Sequence, residues 1–320
     1  MIYTVWLPLL VPFLAGPAGR WLVSCLPPRQ AVRLLALTAA GLAAGSTAAL
    51  ALAVVPGATH VPAVAELGRL PAPLTPLASG PPGAPAVAVA AVALALLALC
   101  ATLLLRRLLR HRAQLLRARR LAARADGELL VLPDETPDAY ALPGRPGRIV
   151  VTAGMLRALS AAEREALLAH ERAHLRGRHH RYTAVIELAA VCHPALRALR
   201  EPLEYAVERC ADEDAAHAVG DRRLTARAIG KAALASHGAG AGAGRRPGPA
   251  LAATAGPVPR RVAALLDPEA GAVHGSRWTG IAPAGALLAC LALSTASAAD
   301  AAGDLHASIE IARGEPGRPR

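Results

Sequence analysis

His170, Glu171 and His174 stand in the string H-E-R-A-H, an instance of H-E-x-x-H. On a helix, residues four apart share one face, so the two imidazoles can hold one metal ion. Glu171 follows about 100° round from His170, beside a water on that metal. Zinc takes neutral imidazole ligands and, in catalytic sites, keeps one position open for water. A carboxylate next to that water can take its proton near neutral pH. The string therefore points to hydrolysis of a peptide bond. Its plain alternative is a charged helix face with two solvated histidines.

The flanking residues favour the first reading. Ser160 and Glu163 have the S-x-x-E spacing of a capping box, which starts a helix just upstream. Ala166 to Ala169 continue it with good helix formers. Arg172 and Arg176 place positive charge toward its carbonyl end, and Gly177 is the expected stop. A third protein ligand must come from elsewhere, and Glu208 is the candidate. It lies in a second predicted helix, with Pro202 in the first turn and Gly220 at the stop. Asp212, four residues on, faces the same way and can accept the ring N–H of a ligating histidine, fixing its tautomer. The other acids of this stretch, Glu201, Glu204, Glu213 and Asp214, read as a solvated face. His179 and His180 follow the zinc helix too closely to be ligands and read as surface or supporting residues. Tyr205, His217, Arg260 and Arg261 are all candidates for a donor to the transition state.

Together these strings resemble a known clan. Asp138 to Gly144, Arg148 to Leu156, Leu159-Ser160, H-E-R-A-H and Glu208-Arg209-Cys210-Ala211-Asp212 resemble membrane-embedded zinc metallopeptidases over roughly residues 128–266. Two branches are close: the HtpX and CAAX prenyl protease branch, and the beta-lactam-sensor (BlaR/MecR-type) branch. Val258 to Leu266 looks like the closing helix that carries an arginine in these proteins. His193-Pro194 is similar to a segment of the sensor branch, but Ala211 stands where that branch often has cysteine. The resemblance implies one zinc ion per chain, a gluzincin-like domain with a small β-sheet, and an edge strand that pairs with the substrate backbone. Ala139, Tyr140 and Ala141 are the candidate residues of that strand; a plain structural edge is the alternative.

The chain has 320 residues, 54% of them hydrophobic and 2% aromatic, more apolar content than one globular core requires. Uncharged runs explain it. Ala84 to Leu105 and Thr279 to Ala299 are each long enough to span a bilayer. Ala31 to Val55 has only Arg33, at its edge. Ile2 to Leu26 is interrupted by Gly16, Pro17, Gly19 and Arg20; it reads as a first span with Trp6 and Trp21 near its boundaries, since a signal peptide would need a basic leader. The expected fold is thus mainly α, an integral membrane protein of about four transmembrane helices. Residues 1–105 carry three helices with an external Pro-rich loop, 106–278 the cytoplasmic zinc domain, 279–299 the fourth helix and 300–320 a short external tail.

Arginine sets the orientation. Between Arg106 and Arg124 there are eight arginines and no acid. By the positive-inside rule this side is cytoplasmic, and the N-terminus and tail are outside. The net charge of +12 has this local cause. Such a run orients the helix and meets anionic lipid headgroups; without interleaved aromatics, no nucleic-acid binding is expected. The five cysteines show no C-x-x-C spacing, so neither a disulfide frame nor a cysteine zinc site is indicated. Short strands are expected at Glu128 to Leu132, around Tyr140 and at Arg148 to Thr152. Tyr182 to Leu199 reads as an interfacial or buried helix, and Ser236 to Pro259 as a mobile loop.

Three functions compete. One is a regulated protease that cuts a repressor or itself after an outside event. The second is a quality-control protease for damaged membrane proteins. The third is a non-catalytic membrane sensor or scaffold. The expected partners are a protein or peptide substrate, with a transcriptional repressor and a membrane protein as the candidates, and the lipid bilayer. The short tail after the last span speaks against a penicillin-binding domain there.

Overall fold

The computed structural model describes residues 6–60, 84–123, 127–238, 257–267 and 277–312. Most of the proline-rich loop, most of the 236–259 loop and the end of the tail lie outside the described residues.

The first apolar segment forms α1 (Leu7–Leu10) and α2 (Pro12–Cys25), joined at Val11, whose backbone is itself helical, so the two run on as nearly one rod. Pro12 has no N–H to give the carbonyl of Pro8. The hydroxyl of Ser46, from the next helix, stands 2.7 Å from that oxygen and serves it instead. Helix α3 (Pro28–Ala58) and helix α4 (Ala84–Ala122) follow. These two are long and apolar enough to cross a membrane by length and composition. Helix α4 has 39 residues and a length of about 58 Å, so the arginine run is a continuation of the apolar helix.

At its far end α4 meets a three-stranded sheet: β1 (Leu129–Leu132), β2 (Ala139–Leu142) and β3 (Arg148–Thr152), in the order β1-β3-β2. Strand β3 pairs parallel with β1 and antiparallel with β2, Tyr140 facing Val150 in register. Ala118 and Ala122 of α4 pack with Tyr140, Leu142 and Val150 on one face of the sheet. On the other face, Ala139 and Val151 pack with Met155, Leu167 and Ile229.

The remaining helices are α5 (Ala153–Ala158), α6 (Ala161–Gly177), α7 (His179–Cys192), a 3-10 turn (Pro194–Leu199), α8 (Arg200–Val219), α9 (Arg222–Gly238), α10 (Val258–Leu266) and α11 (Arg277–Ala312). Pro259, expected at the end of a loop, lies in the first turn of α10. Helix α11 runs on past Ala299, where the fourth span was expected to end; within it Ala284–Ser297 is a shorter apolar stretch. The main core joins both parts of the chain. Ala15 and Leu22 of α2 and Leu35 and Leu42 of α3 pack in one cluster with Ile186, Leu199, Leu203 and Val207. Helix α7 is therefore buried against the apolar helices through Ile186 and Ala189.

Candidate metal centre

Helix α6 begins as its capping box demands: the Ser160 hydroxyl accepts from the Glu163 N–H, and the Glu163 carboxylate accepts from the Ser160 N–H at 2.9 Å. Lys231 of α9 holds the same carboxylate at 2.6 Å. With its start fixed, α6 turns His170, Glu171 and His174 inward, and all three are buried. The helix ends at Gly177, as expected, but Gly177 is not its left-handed cap. The residue in the left-handed region is Arg178, at φ 50°. Gly177 has another task, because a Cβ there would collide with the ring of His179.

Helix α8 supplies Glu208 and Asp212 from adjoining turns, both buried. One ligand atom from each of His170, His174 and Glu208 lies within 4.8 Å of the others. His170 Nε2 and His174 Nε2 are 3.0 Å apart, and each lies 3.5 Å from a Glu208 oxygen. The outer nitrogens explain why these atoms face inward. His170 Nδ1 stands 3.0 Å from Asp212 Oδ1, and a carboxylate so close favours the tautomer with its proton on Nδ1 and its lone pair on Nε2. His174 Nδ1 stands 3.0 Å from Nδ1 of the buried His179. His179 is thus the supporting residue of the second ligand, while the neighbouring His180 is half-buried outside the centre.

Arg261 of α10 completes the surroundings. It is fully buried; its Nε and Nη2 donate to the two oxygens of Asp212 at 2.8 and 2.7 Å, and its Nη1 reaches Glu208 Oε2 at 2.9 Å. This fork ties the guanidinium to the proposed ligand Glu208 and to the Asp212 that faces His170. Tyr205 lies one turn before Glu208, with the Arg260 guanidinium 4.5 Å above its ring. His217 is exposed and faces a cavity lined by Arg29, Arg33 and Arg176, outside the metal centre. Nine residues beyond Glu208, it is on the opposite face of α8 and about 13 Å along the axis. Sequence reasoning did not find the contacts of Arg261 and His179. The signal for Arg261 was an arginine pair, Arg260-Arg261, in an amphipathic helix, and that for His179 a glycine two residues earlier.

Electrostatics fit a cation. Glu171, Glu208 and Asp212 bring three formal negative charges and Arg261 one positive, all buried. A divalent ion neutralises the remaining two, which a buried site requires. Burial acts downward on His170, but its bonds to Asp212 and Glu208 outweigh this and hold it at about 9. His174 falls well below the ordinary range, through burial and the neighbouring His170. The two rings together support one positive charge between them, and not two. Burial would raise Asp212, but Arg261 and His170 hold it down at about 2. Imidazole, imidazole and carboxylate form a donor set that suits zinc.

Residues 105–198 match the family model described as Peptidase family M48, a family of zinc metallopeptidases. The match takes in the second half of α4, the sheet and the H-E-x-x-H helix, and ends before Glu208. It bears out the resemblance to zinc metallopeptidases at family level. Comparison with curated proteins and with solved structures finds no match.

Proposed function

We propose that this chain is an integral-membrane zinc metalloendopeptidase that hydrolyses protein substrates at the cytoplasmic face of the membrane. The observation that carries this reading is the convergence of His170, His174 and Glu208 from two helices, with Glu171 buried on the same helix turn. A divalent ion held by these three side chains supplies a Lewis acid that lowers the pKa of water to about 7. Glu171 takes the proton of the attacking water and returns it to the leaving amine. Asp212 and His179 hold the two imidazoles in the tautomers that present Nε2. Arg261 keeps Asp212 ionised and holds both carboxylates in place. Tyr205, near the ligands on α8, is the donor candidate for the developing oxyanion.

Strand β2 is the edge of the sheet and packs against α6. Ala139, Tyr140 and Ala141 there are the residues we assign to pairing with an extended substrate segment. Main-chain pairing gives affinity with little sequence preference, which suits protein substrates of varied sequence. The orientation is the one that the arginines set: four spans, with the N-terminus and tail outside and the catalytic part in the cytoplasm. A regulated cut in a repressor or a membrane protein is the role this arrangement serves.

The test is purification in detergent, metal analysis, and comparison of the native chain with Glu171→Gln on casein and candidate repressors. One zinc in both proteins and cleavage by the native chain alone is the expected result. Cleavage by Glu171→Gln defeats the assignment of the base. Bound zinc with no cleavage by either protein favours a non-catalytic sensor or scaffold.

A further inference from the structure

A cavity of about 400 Å³ opens beside the metal centre, between α4, the β2–β3 turn and the joint of α6 with α7. Its lining is unusual in charge. Arg119 and His111 come from α4, Arg145 from the turn, Arg178 from the joint, and His180 and Arg181 from the start of α7. No carboxylate lines it among the described residues. Several arginines elsewhere pair with acids: Arg172 with Glu128 and Glu165, Arg222 with Glu213, Arg29 with Asp214, and Arg107 and Arg200 with Glu187. The four arginines of the cavity have no ionic partner among the described residues and are exposed to its opening.

Like charges gathered round one opening make a positive potential that attracts an anion. Guanidinium forks match phosphate oxygens in pairs, and so favour phosphate over a monovalent inorganic anion. The walls are built, not casual. Gly147 brings the turn so close to α6 that a Cβ there would lie 3.0 Å from Leu175. Burial first, and then Arg181, His111 and Arg178, push the His180 imidazole down to about 4. We infer that this cavity is a binding site for a phosphate-bearing anion, formed by Arg119, Arg145, Arg178 and Arg181. The phosphate comes either from a phospholipid headgroup or from a soluble phosphate compound. Arg119 lies 14 residues beyond Leu105, the end of the apolar run, or about 21 Å along the helix; His111 is nearer, at about 9 Å. A headgroup therefore reaches the cavity from the His111 side. Arg178 is also the left-handed joint before His179, so a bound anion fixes the segment that supports His174.

The site stands apart from the proposed hydrolysis, and its test needs no protease activity. Pyrophosphate is titrated calorimetrically into the full chain in neutral detergent, and thermal midpoints are measured in nanodiscs of phosphatidylcholine with and without phosphatidylglycerol. Saturable binding that weakens with salt is expected. Arg145→Glu with Arg181→Glu should weaken it about tenfold or more, as loss of charge-assisted bonds does. Arg119→Gln, on a different helix, should weaken it in the same direction, which guards against a misfolded double variant. Arg223→Glu, exposed on α9 away from the cavity, should bind as the native chain does. A higher midpoint in anionic nanodiscs that the cavity variants lose identifies the headgroup as the source. Pyrophosphate binding lost in those variants, with no such lipid effect, identifies a soluble phosphate. Equal pyrophosphate binding by the native chain and the cavity variants overturns the site, and so does an absence of both saturable binding and a lipid effect.

Discussion

Arg261 shows how much of a metal centre lies outside its ligands. A buried arginine with three charge-assisted bonds is tolerable only because two carboxylates neutralise it, and those carboxylates are the ones that ligate and orient. Arg261→Lys keeps the charge but cannot reproduce the fork. Zinc affinity is expected to fall about 10–100-fold, the range typical of lost support to ligands. Competition with a chromophoric chelator measures it, and an unchanged affinity would remove Arg261 from the centre. His179→Phe tests the second imidazole the same way: the ring volume stays, the nitrogen opposite His174 Nδ1 goes, and weaker zinc retention is expected. The ligands themselves were legible in the sequence, because His170, His174, Glu208 and Asp212 each sit at helical spacing from a partner. The support was not. No local spacing links Arg261 to Asp212, 49 residues apart, and only the fold brings them to 2.7 Å.

At the level of elements, the start of α6 decides where the ligands point. Glu163 joins the capping box to Lys231, and this places its carboxyl at about 2, chiefly through Lys231 and the Ser160 N–H. An unfolded glutamate titrates near 4.3. The folded value is depressed, so this contribution is fully present above about pH 4.3 and is lost as pH falls toward 2. Glu163→Gln should therefore lower the thermal midpoint at pH 6, with a cost of about 1 kcal/mol typical of a lost cap. The gap to the native chain should close progressively below pH 4.3. A gap that is constant from pH 6 to 3 would show that the charge plays no part. This element was readable from Ser160 and Glu163 alone, since a capping box is a local signal. That α6 ends at Gly177 was readable too; why a glycine stands there was not. Its role is close approach to His179, and the positive φ falls on an arginine. Nor did the sequence reveal that α4 continues unbroken from apolar to basic residues: charge changes at Arg106, but helix propensity does not.

Over the whole molecule, the apolar helices and the metal-binding helices are not separable layers. Gly41 and Gly45 of α3 face α11, where added Cβ atoms would strike Leu291 and Ser294. Small residues four apart allow such close packing between membrane helices. Gly45→Val should loosen this contact and lower the midpoint in detergent, by about 1–3 kcal/mol for an overpacked site. A midpoint equal to the native one would mean that α11 does not rest there. The stronger test concerns the residues 106–278 that composition marks as a soluble domain. In the structure Leu199, Leu203 and Val207, on and just before the helix that carries Glu208, are buried by Ala15, Leu22, Leu35 and Leu42. Cutting the chain at residue 106 would expose these side chains, each worth about 1.5–3 kcal/mol of burial. Three such losses, about 4.5–9 kcal/mol together, are comparable with the roughly 5–15 kcal/mol that holds a typical domain together. A fragment of residues 106–278 is therefore expected to lose the packing of α7 and α8 and, with Glu208 displaced, to bind zinc far more weakly than the full chain. Circular dichroism and metal analysis of the fragment against the full chain in detergent decide it. A folded, soluble fragment with one tightly bound zinc would show that α8 holds its place without the apolar helices.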